Sequence, residues 1–387
     1  MGLLLFIAKC GLRFLYLLFW PLKAQNKVVM LSRESDTVPL DFRLLEKELH
    51  RRSPQTEVVY FCRKMTKHIN VFSYCWFLVR SLYHIATASV AVTDTYSIQL
   101  CVLPPKKGLT VVQIWHAVGA VKKFSYQCLD TANGHSSAIA RQMCMHKNYD
   151  YILCTSEATR SVYVEAFHTP REKILVLGMP RVDYIQRTAP GLRRRFLKER
   201  PDLRGKKLLL YLPTFREGVD EGTERLLHAA AGRYDIALLV KPHPLSTFHV
   251  PRGNQPGAGW STYDLMKVCD GIITDYSASS LEASLLHKPV YFYLFDYESY
   301  KYNQGLNIDP SLEMPSAVSV EAGPLMDKIQ AGHYDLSALE RFRSKYIQTA
   351  DENNTAAIVR FLLDHIPVHL RQQTASPAGK QKAGAGK

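Results

Sequence analysis

Residues 270–293, DGIITDYSASSLEASLLHKPVYFY, decide the fold. A buried-strand run, Gly271-Ile-Ile-Thr274, passes directly into hydroxyl-rich residues suited to opening a helix, and a second run, Val290-Tyr-Phe-Tyr293, follows. Strands separated by helices argue a parallel α/β sheet. The same alternation extends upstream through Lys27-Val-Val-Met-Leu-Ser, Glu57-Val-Val-Tyr-Phe, Ser89-Val-Ala-Val-Thr, Thr110-Val-Val-Gln-Ile-Trp, Tyr151-Ile-Leu-Cys and Lys173-Ile-Leu-Val-Leu-Gly. It restarts at Lys207-Leu-Leu-Leu-Tyr-Leu and Asp235-Ile-Ala-Leu-Leu-Val-Lys, after a basic stretch from Arg187 to Lys207 punctuated by Pro190, Gly191, Pro201 and Gly205. Two similar α/β halves facing a cleft are therefore expected, residues 25–190 and 191–370, with a low-complexity tail over 371–387.

Composition limits the partners. Of 387 residues, 47% are hydrophobic and 22% charged, enough for a substantial core. Lysine and arginine number 49 against 35 acidic residues, a net charge of +14, which points to nucleic acid, an anionic membrane surface or phosphorylated substrates. No RNA-binding aromatic signature, zinc finger or helix-turn-helix is present, so no nucleic-acid partner is expected. The eight cysteines include no C-x-x-C pair, which argues against a disulfide framework or structural zinc. Residues 1–24 begin with the apolar stretch MGLLLFIAKCGLRFLYLLFW, interrupted by Lys9 and Arg13 four residues apart. That pattern predicts an amphipathic helix lying in the membrane interface, its two cations meeting anionic head groups and the rest of the fold independent of it, with a partner-docking helix, a single membrane span or an ordinary core helix as the alternatives.

The chemistry should sit in loops after strands, because such sheets bind ligands beyond the carboxyl ends of their strands. There is no P-loop, no dinucleotide fingerprint, no G-x-S-x-G and no D-x-D, so neither a metal nor another cofactor is expected, and basic side chains, imidazoles and backbone amides should neutralise phosphate. Ser277, Ser279 and Ser280 at a helix start form a candidate phosphate cradle with Thr274, Asp275 and Tyr276 beside them. Glu282, about a turn on, is placed to accept from ribose hydroxyls. His116 follows Trp115 at a strand end beside Gly119 and Lys122, and can take a proton from an attacking hydroxyl. Lys241 and His243 end another strand, and Pro213, Thr214 and Arg216 a third. Asp94 is an alternative or additional base, and Asp275 is either a base or a structural cap.

Together these residues resemble the CDP-glycerol glycerophosphotransferase family of teichoic acid synthesis. The matching motifs run in order: Val112-Gln-Ile-Trp-His-Ala-x-Gly-x-x-Lys-Lys-Phe124, Gly178-Met-Pro-Arg-x-Asp183, Tyr211-Leu-Pro-Thr-Phe-Arg216, Lys241-Pro-His-Pro244, Ile273-Thr-Asp-Tyr-Ser-x-Ser279, Lys288-Pro-x-x-Phe-Tyr293 and Asp296-x-x-x-Tyr300. The Trp-His-Ala form, the short chain and the apolar first helix are similar to the primase group of that family. The resemblance implies a GT-B-like fold of two Rossmann-like domains, the first for acceptor and the second for CDP-glycerol. It further implies peripheral attachment to the cytoplasmic face of the membrane and an undecaprenyl-diphosphate-linked disaccharide as acceptor. In that reading His116 acts on the acceptor hydroxyl, while His243 and Arg216 hold the diphosphate. Ala278 stands where the family commonly has serine, and Glu282 where aspartate is frequent. A polymerase of the same family, a nucleotide-sugar glycosyltransferase of the same architecture, and a non-enzymatic basic binding protein are the alternatives.

Overall fold

The computed structural model describes residues 2–65, 70–216, 220–348 and 353–372, so most of the expected tail, from 373 on, lies outside the described residues. The β-branched and leucine-rich runs form β1 (Lys27–Ser32), β2 (Glu57–Cys62), β3 (Val90–Thr93), β4 (Thr110–Gln113), β5 (Tyr151–Cys154) and β6 (Ile174–Val176). They continue as β7 (Lys207–Leu212), β8 (Ile236–Val240), β9 (Gly271–Thr274), β10 (Val290–Tyr293) and β11 (Val318–Ser319). Every residue of β1, β3, β8, β9 and β10 is buried, which is why these strands read as continuous apolar runs rather than alternating ones.

The first sheet has the order β2-β1-β3-β4-β5-β6 and the second β11-β10-β9-β7-β8. Within each, the opening strand lies between the second and third, paired in parallel with both: Val28 faces Val58 and Val90, and Leu210 faces Leu239 and Ile272. Both sheets thus reverse their winding at one place, between β1 and β3 in the first and between β7 and β9 in the second. That is where such sheets leave a crevice at the carboxyl ends of their strands.

The chain divides into two compact units, and the division is not linear in sequence. One holds the described residues up to His116, Ala138–Leu153 and 353–372, and the other Ala117–Ser137 and Cys154 to 348. The expected single boundary at 190/191 therefore differs from the observed division. The helix Asn354–Asp364 buries Ile358, Val359 and Leu362 and packs against α2 (Leu40–Arg52), returning the late chain to the first unit. In the second unit the pleat separates two cores: Leu208, Leu210 and Leu212 join Ile272 and Phe292 on one face, while Leu209 and Tyr211 join Ile273, Tyr291 and Met326 on the other.

The first helix corrects an expectation. α1 (Gly2–Phe19) packs along α3 (Val71–Thr87), with Leu12 buried and Tyr16 only 1% exposed. Its cations turn toward protein: Lys9 Nζ donates to the Gln142 carbonyl at 3.2 Å and Arg13 Nε to the Val102 carbonyl at 2.7 Å. One donor of each cation thus reaches a carbonyl of the first unit, so α1 packs on that unit and the rest of the fold is not independent of it. Its outer face nevertheless exposes Phe6, Ile7, Phe14, Leu17 and Leu18. No described helix is long and apolar enough to cross a membrane.

Replacing Tyr16 with alanine should therefore destabilise the first unit by about 3 kcal/mol, the cost of removing a large buried aromatic. Urea unfolding followed by circular dichroism would show it, and an unchanged midpoint would return α1 to the status of a detachable appendage.

Candidate active site

In the second unit a buried carboxylate organises the crevice. Asp275, the residue after β9, is wholly buried and accepts from the Thr214 amide at 3.0 Å, the Thr214 hydroxyl at 2.7 Å and Arg216 Nη1 at 2.8 Å. Arg216 also donates from Nη1 to the Thr214 carbonyl, and from Nε and Nη2 to the two oxygens of Asp296 at 2.8 and 3.0 Å. Four of its five N–H groups are thereby committed. Burial works against its charge, and the hydrogen bonds and negative charges of Asp296 and Asp275 more than offset that, raising its pKa. Beside it Tyr276 and Tyr300 stack with ring centres 3.9 Å apart, and the Tyr276 hydroxyl donates to Asp296. Arg216 was expected on the diphosphate. Its place between two carboxylates makes it the clamp that joins the loops after β7, β9 and β10.

Several other expected ligands have structural partners. The Thr274 hydroxyl is buried and donates to the Leu212 carbonyl across the β7–β9 pair, so it locks the sheet instead of reaching phosphate. The Thr214 hydroxyl holds Asp275, and Pro213 is buried beside it. Lys241 Nζ donates to the Trp260 carbonyl at 2.5 Å, with burial lowering its pKa. Glu282 pairs with Arg181 at 3.2 Å and accepts from the Tyr263 hydroxyl at 3.1 Å, both through Oε1. Ser280 is buried and donates to the Ser277 carbonyl.

What faces the crevice is a smaller set. Ser277 and Ser279 are half-buried, their hydroxyls 3.0 Å apart, at the start of the six-residue helix Ser279–Ser284. His243 is exposed and its Nδ1 accepts from the Leu245 amide at 3.2 Å, which leaves the proton on Nε2 when the ring is neutral. Lys122 lies close enough to Asp275 and Arg216 to feel both charges; burial lowers its pKa, Asp275 opposes and Arg216 adds to the lowering. Its ammonium makes no hydrogen bond to any described residue. The backbone around it is held by a bridge to Leu306, by Asn307 N donating to the Val121 carbonyl and by Asn307 Nδ2 donating to the Lys122 carbonyl. Gly119 lets this loop pass the helix: its φ is 72°, and a Cβ there would come 2.4 Å from Leu281 Cδ1.

The first unit carries His116. His116 Nδ1 lies 3.0 Å from the backbone carbonyl of Asp94, which can only accept, so Nδ1 bears the hydrogen and Nε2 is the basic nitrogen. Trp115 precedes it in a left-handed conformation, φ 59°, with its ring 4.2 Å from the imidazole. A bulky residue holds that conformation only when its surroundings fix it. Gln113, buried at the end of β4, does so: its Oε1 accepts from Trp115 N at 2.8 Å, and its Nε2 donates to the Thr95 carbonyl and the Tyr149 hydroxyl. The Tyr149 hydroxyl lies 3.1 Å from His146 Nδ1. Burial, then the neighbouring His116, lowers the pKa of His146 to about 3, so that ring is neutral at physiological pH. Asp94 meets His116 through its carbonyl, and burial raises the pKa of its carboxylate to about 7 against hydrogen bonds from Ser32 and Thr95. Gln113, His146 and Tyr149 escaped sequence reasoning, although a glutamine closing an apolar strand was a signal.

Solved structures share this fold. The wall teichoic acid polymerase TagF, in its H548A form, superposes with a TM-score of 0.69 at 18% identity over 92% of this chain and 93% of that one. A UDP-GlcNAc 2-epimerase from Neisseria meningitidis gives 0.53 at 13% identity, over 87% of this chain and all of that one. The architecture is accordingly that of GT-B-like enzymes with two parallel sheets. The model of the CDP-glycerol:poly(glycerophosphate) glycerophosphotransferase family matches residues 13–364, and the chain belongs to that family. It is 33% identical to the teichoic acid ribitol-phosphate primase of Bacillus spizizenii, over 87% of this chain and 90% of the relative. It is 26% identical to the glycerol-phosphate primase of Bacillus subtilis, over 74% and 76%. Against the poly(ribitol-phosphate) polymerase of Bacillus spizizenii it is 25% identical and covers 56% of the relative.

Arg216→Ala should cost about 3–5 kcal/mol, because it leaves the Asp275 and Asp296 carboxylates without their shared cation. A thermal melt would measure it, and a loss under about 1 kcal/mol would mean that the clamp is not structural. The two shifted groups of the first unit make opposite pH contributions. Asp94, raised to about 7, contributes stability that is complete below its unfolded pKa near 4 and lost as pH rises through 7. His146, lowered to about 3, contributes stability present above 6.5 and lost as pH falls toward 3. Asp94→Asn should thus flatten the neutral limb of stability against pH, and His146→Gln the acid limb. Urea midpoints from pH 4 to 8 that show the reverse assignment would refute it.

Proposed function

We propose that this chain is a teichoic acid primase, transferring glycerol phosphate from CDP-glycerol to the N-acetylmannosamine of an undecaprenyl-diphosphate-linked disaccharide and releasing CMP. The observation that carries the reading is His116, held by the Asp94 carbonyl with Nε2 as its basic nitrogen. In this reading the region 25–190 takes the acceptor and 191–370 the donor. The acceptor hydroxyl oxygen attacks the glycerol-bearing phosphorus in line, its proton passes to His116 Nε2, and the bond from that phosphorus to the bridging oxygen breaks as CMP leaves. Lys122, the Nε2–H of His243 and the hydroxyls of Ser277 and Ser279 offset the phosphate charge, while Arg216 and Asp275 hold the loops that present them. The outer apolar face of α1 supports a peripheral position on the cytoplasmic face of the membrane, against anionic lipid.

The 33% identity to a ribitol-phosphate primase favours a second reading, in which the same displacement delivers ribitol phosphate.

Mass spectrometry of the lipid product decides among these. With CDP-glycerol, one added glycerol phosphate is the expected result. Product formed only with CDP-ribitol would establish the second reading, a ladder of additions would establish a polymerase, and no product from either donor would overturn the proposal. His116→Asn should lower turnover at least ~100-fold with CDP-glycerol affinity nearly unchanged. Near-normal turnover would remove His116 from the mechanism.

A further inference from the structure

The first sheet has its own switch point, and the residues there are not used by the transfer step. Between the ends of β1 and β3 lies a crevice lined by Arg33, Arg63, Tyr74, Phe77, Thr95 and neighbours; its enclosed part is only about 10 Å³, room for one water, so a larger ligand would sit at its open mouth. Arg33 is anchored through its amide to the Thr95 hydroxyl and through Nη1 to the Tyr96 carbonyl, each at 3.2 Å, and its buried Nε has no hydrogen-bond partner. Arg63 donates to the Ser73 hydroxyl at 3.1 Å and lies over the rings of Tyr74 and Phe77, 5.6 and 5.7 Å from their centres. Neither guanidinium makes an ion pair with a described residue. Arg33 lies over the Tyr96 ring, 5.6 Å from its centre; burial raises the pKa of the Tyr74 hydroxyl and the charges of Arg33 and Arg63 both oppose it, so both cations are felt at that phenol. Two like charges at the mouth of a crevice, with no ion-pair partner among the described residues, suit a ligand with two adjacent anionic groups, and guanidinium forks suit phosphates.

The surroundings identify what carries those phosphates. Tyr74 and Phe77 lie on the inner face of α3; its outer face presents Phe72, 88% exposed, and Trp76, 65% exposed, with Tyr83 on the same stripe. The outer residues of α1, which packs on α3, add further apolar surface. No aspartate or glutamate occurs in residues 1–33 or 58–93, the segments that hold both helices, whereas Lys23, Arg63, Lys64 and Arg80 do. An apolar face without acids and edged by cations suits an anionic bilayer, and one helix is only about 10 Å thick. A nucleotide donor would gain nothing from such a face. Thr95 also follows Asp94, whose carbonyl orients His116, so a group bound by Arg33 lies close in the chain to the base.

We propose that Arg33 and Arg63 bind the diphosphate of the lipid-linked acceptor, with its polyprenyl chain leaving past α3 into the bilayer. This assignment rests on the acceptor reading given above. Farnesyl diphosphate titrated onto the full chain by calorimetry tests it without any transfer step. The chain should bind farnesyl diphosphate at least tenfold more tightly than inorganic diphosphate or farnesol, and Arg33→Gln with Arg63→Gln should weaken it at least tenfold. Arg63→Gln alone, at the rim, should weaken it severalfold and serves if the double variant does not fold. In turnover, the loss with lipid-diphosphate acceptor should exceed the loss with a diphosphate-free disaccharide glycoside by at least tenfold, the donor KM staying the same. Equal binding of inorganic diphosphate would make the crevice a free-anion site and overturn the lipid assignment. Equal losses with both acceptors, or unchanged binding in the variants, would overturn it as well. Arginine-dependent binding in a chain that transfers nothing would instead leave the crevice assignment standing and defeat the proposed function.

Discussion

The constraint on which the rest depends is the handedness of the crossovers. A parallel strand can be followed by its neighbour only through a right-handed connection, so a sheet that grows first to one side and then to the other must place its opening strand in the interior. β1 and β7 occupy that place, each flanked by the strand after it and by the third strand of its sheet. The loops leaving β1 and β3, and those leaving β7 and β9, then diverge to opposite sides. Polar groups can be buried at such a divergence without interrupting a hydrogen-bonded ladder, and both units use the opportunity.

They use it differently. The second unit fills its divergence with a closed arrangement, two carboxylates about one guanidinium, with Lys122, His243 and two serines among the described residues at its margin. The first keeps two guanidinium groups without carboxylate partners among the described residues and holds a histidine by a backbone carbonyl. A carbonyl cannot titrate, so the orientation of His116 is independent of pH, which a carboxylate partner would not ensure. The strain at Trp115 follows from the same arrangement, because a left-handed residue after β4 turns the imidazole back toward Asp94, and Gln113 supplies the bond that holds the turn.

The fold was largely legible because strands buried on both faces leave continuous apolar runs. β11, two residues long, left no such signature. Residue types at the site were legible and their partners were not. Arg216 at a strand end reads as a phosphate ligand, and only contact with Asp296, 80 residues later, shows otherwise. Glu282 reads as a ribose ligand, and only the fold shows Arg181, 101 residues earlier, beside it. Lys9 and Arg13 look like lipid-facing cations because their carbonyl partners lie 133 and 89 residues away. In each case local pattern reports which groups exist, and pairing at long range decides which remain available.

The inward set of those two cations bears on the order in which the molecule is made. α1 is synthesised well before Val102 and Gln142, and at ordinary elongation rates the delay to Gln142 is on the order of ten seconds. Until α3 emerges neither face of the helix has a protein partner, and Lys9 waits longer still for its carbonyl, while residues such as Phe14, Leu17 and Leu18 are already competent to meet lipid. Contact with a bilayer can thus precede folding of the unit to which the helix belongs, and the first sheet would then close over an element already resting on a surface.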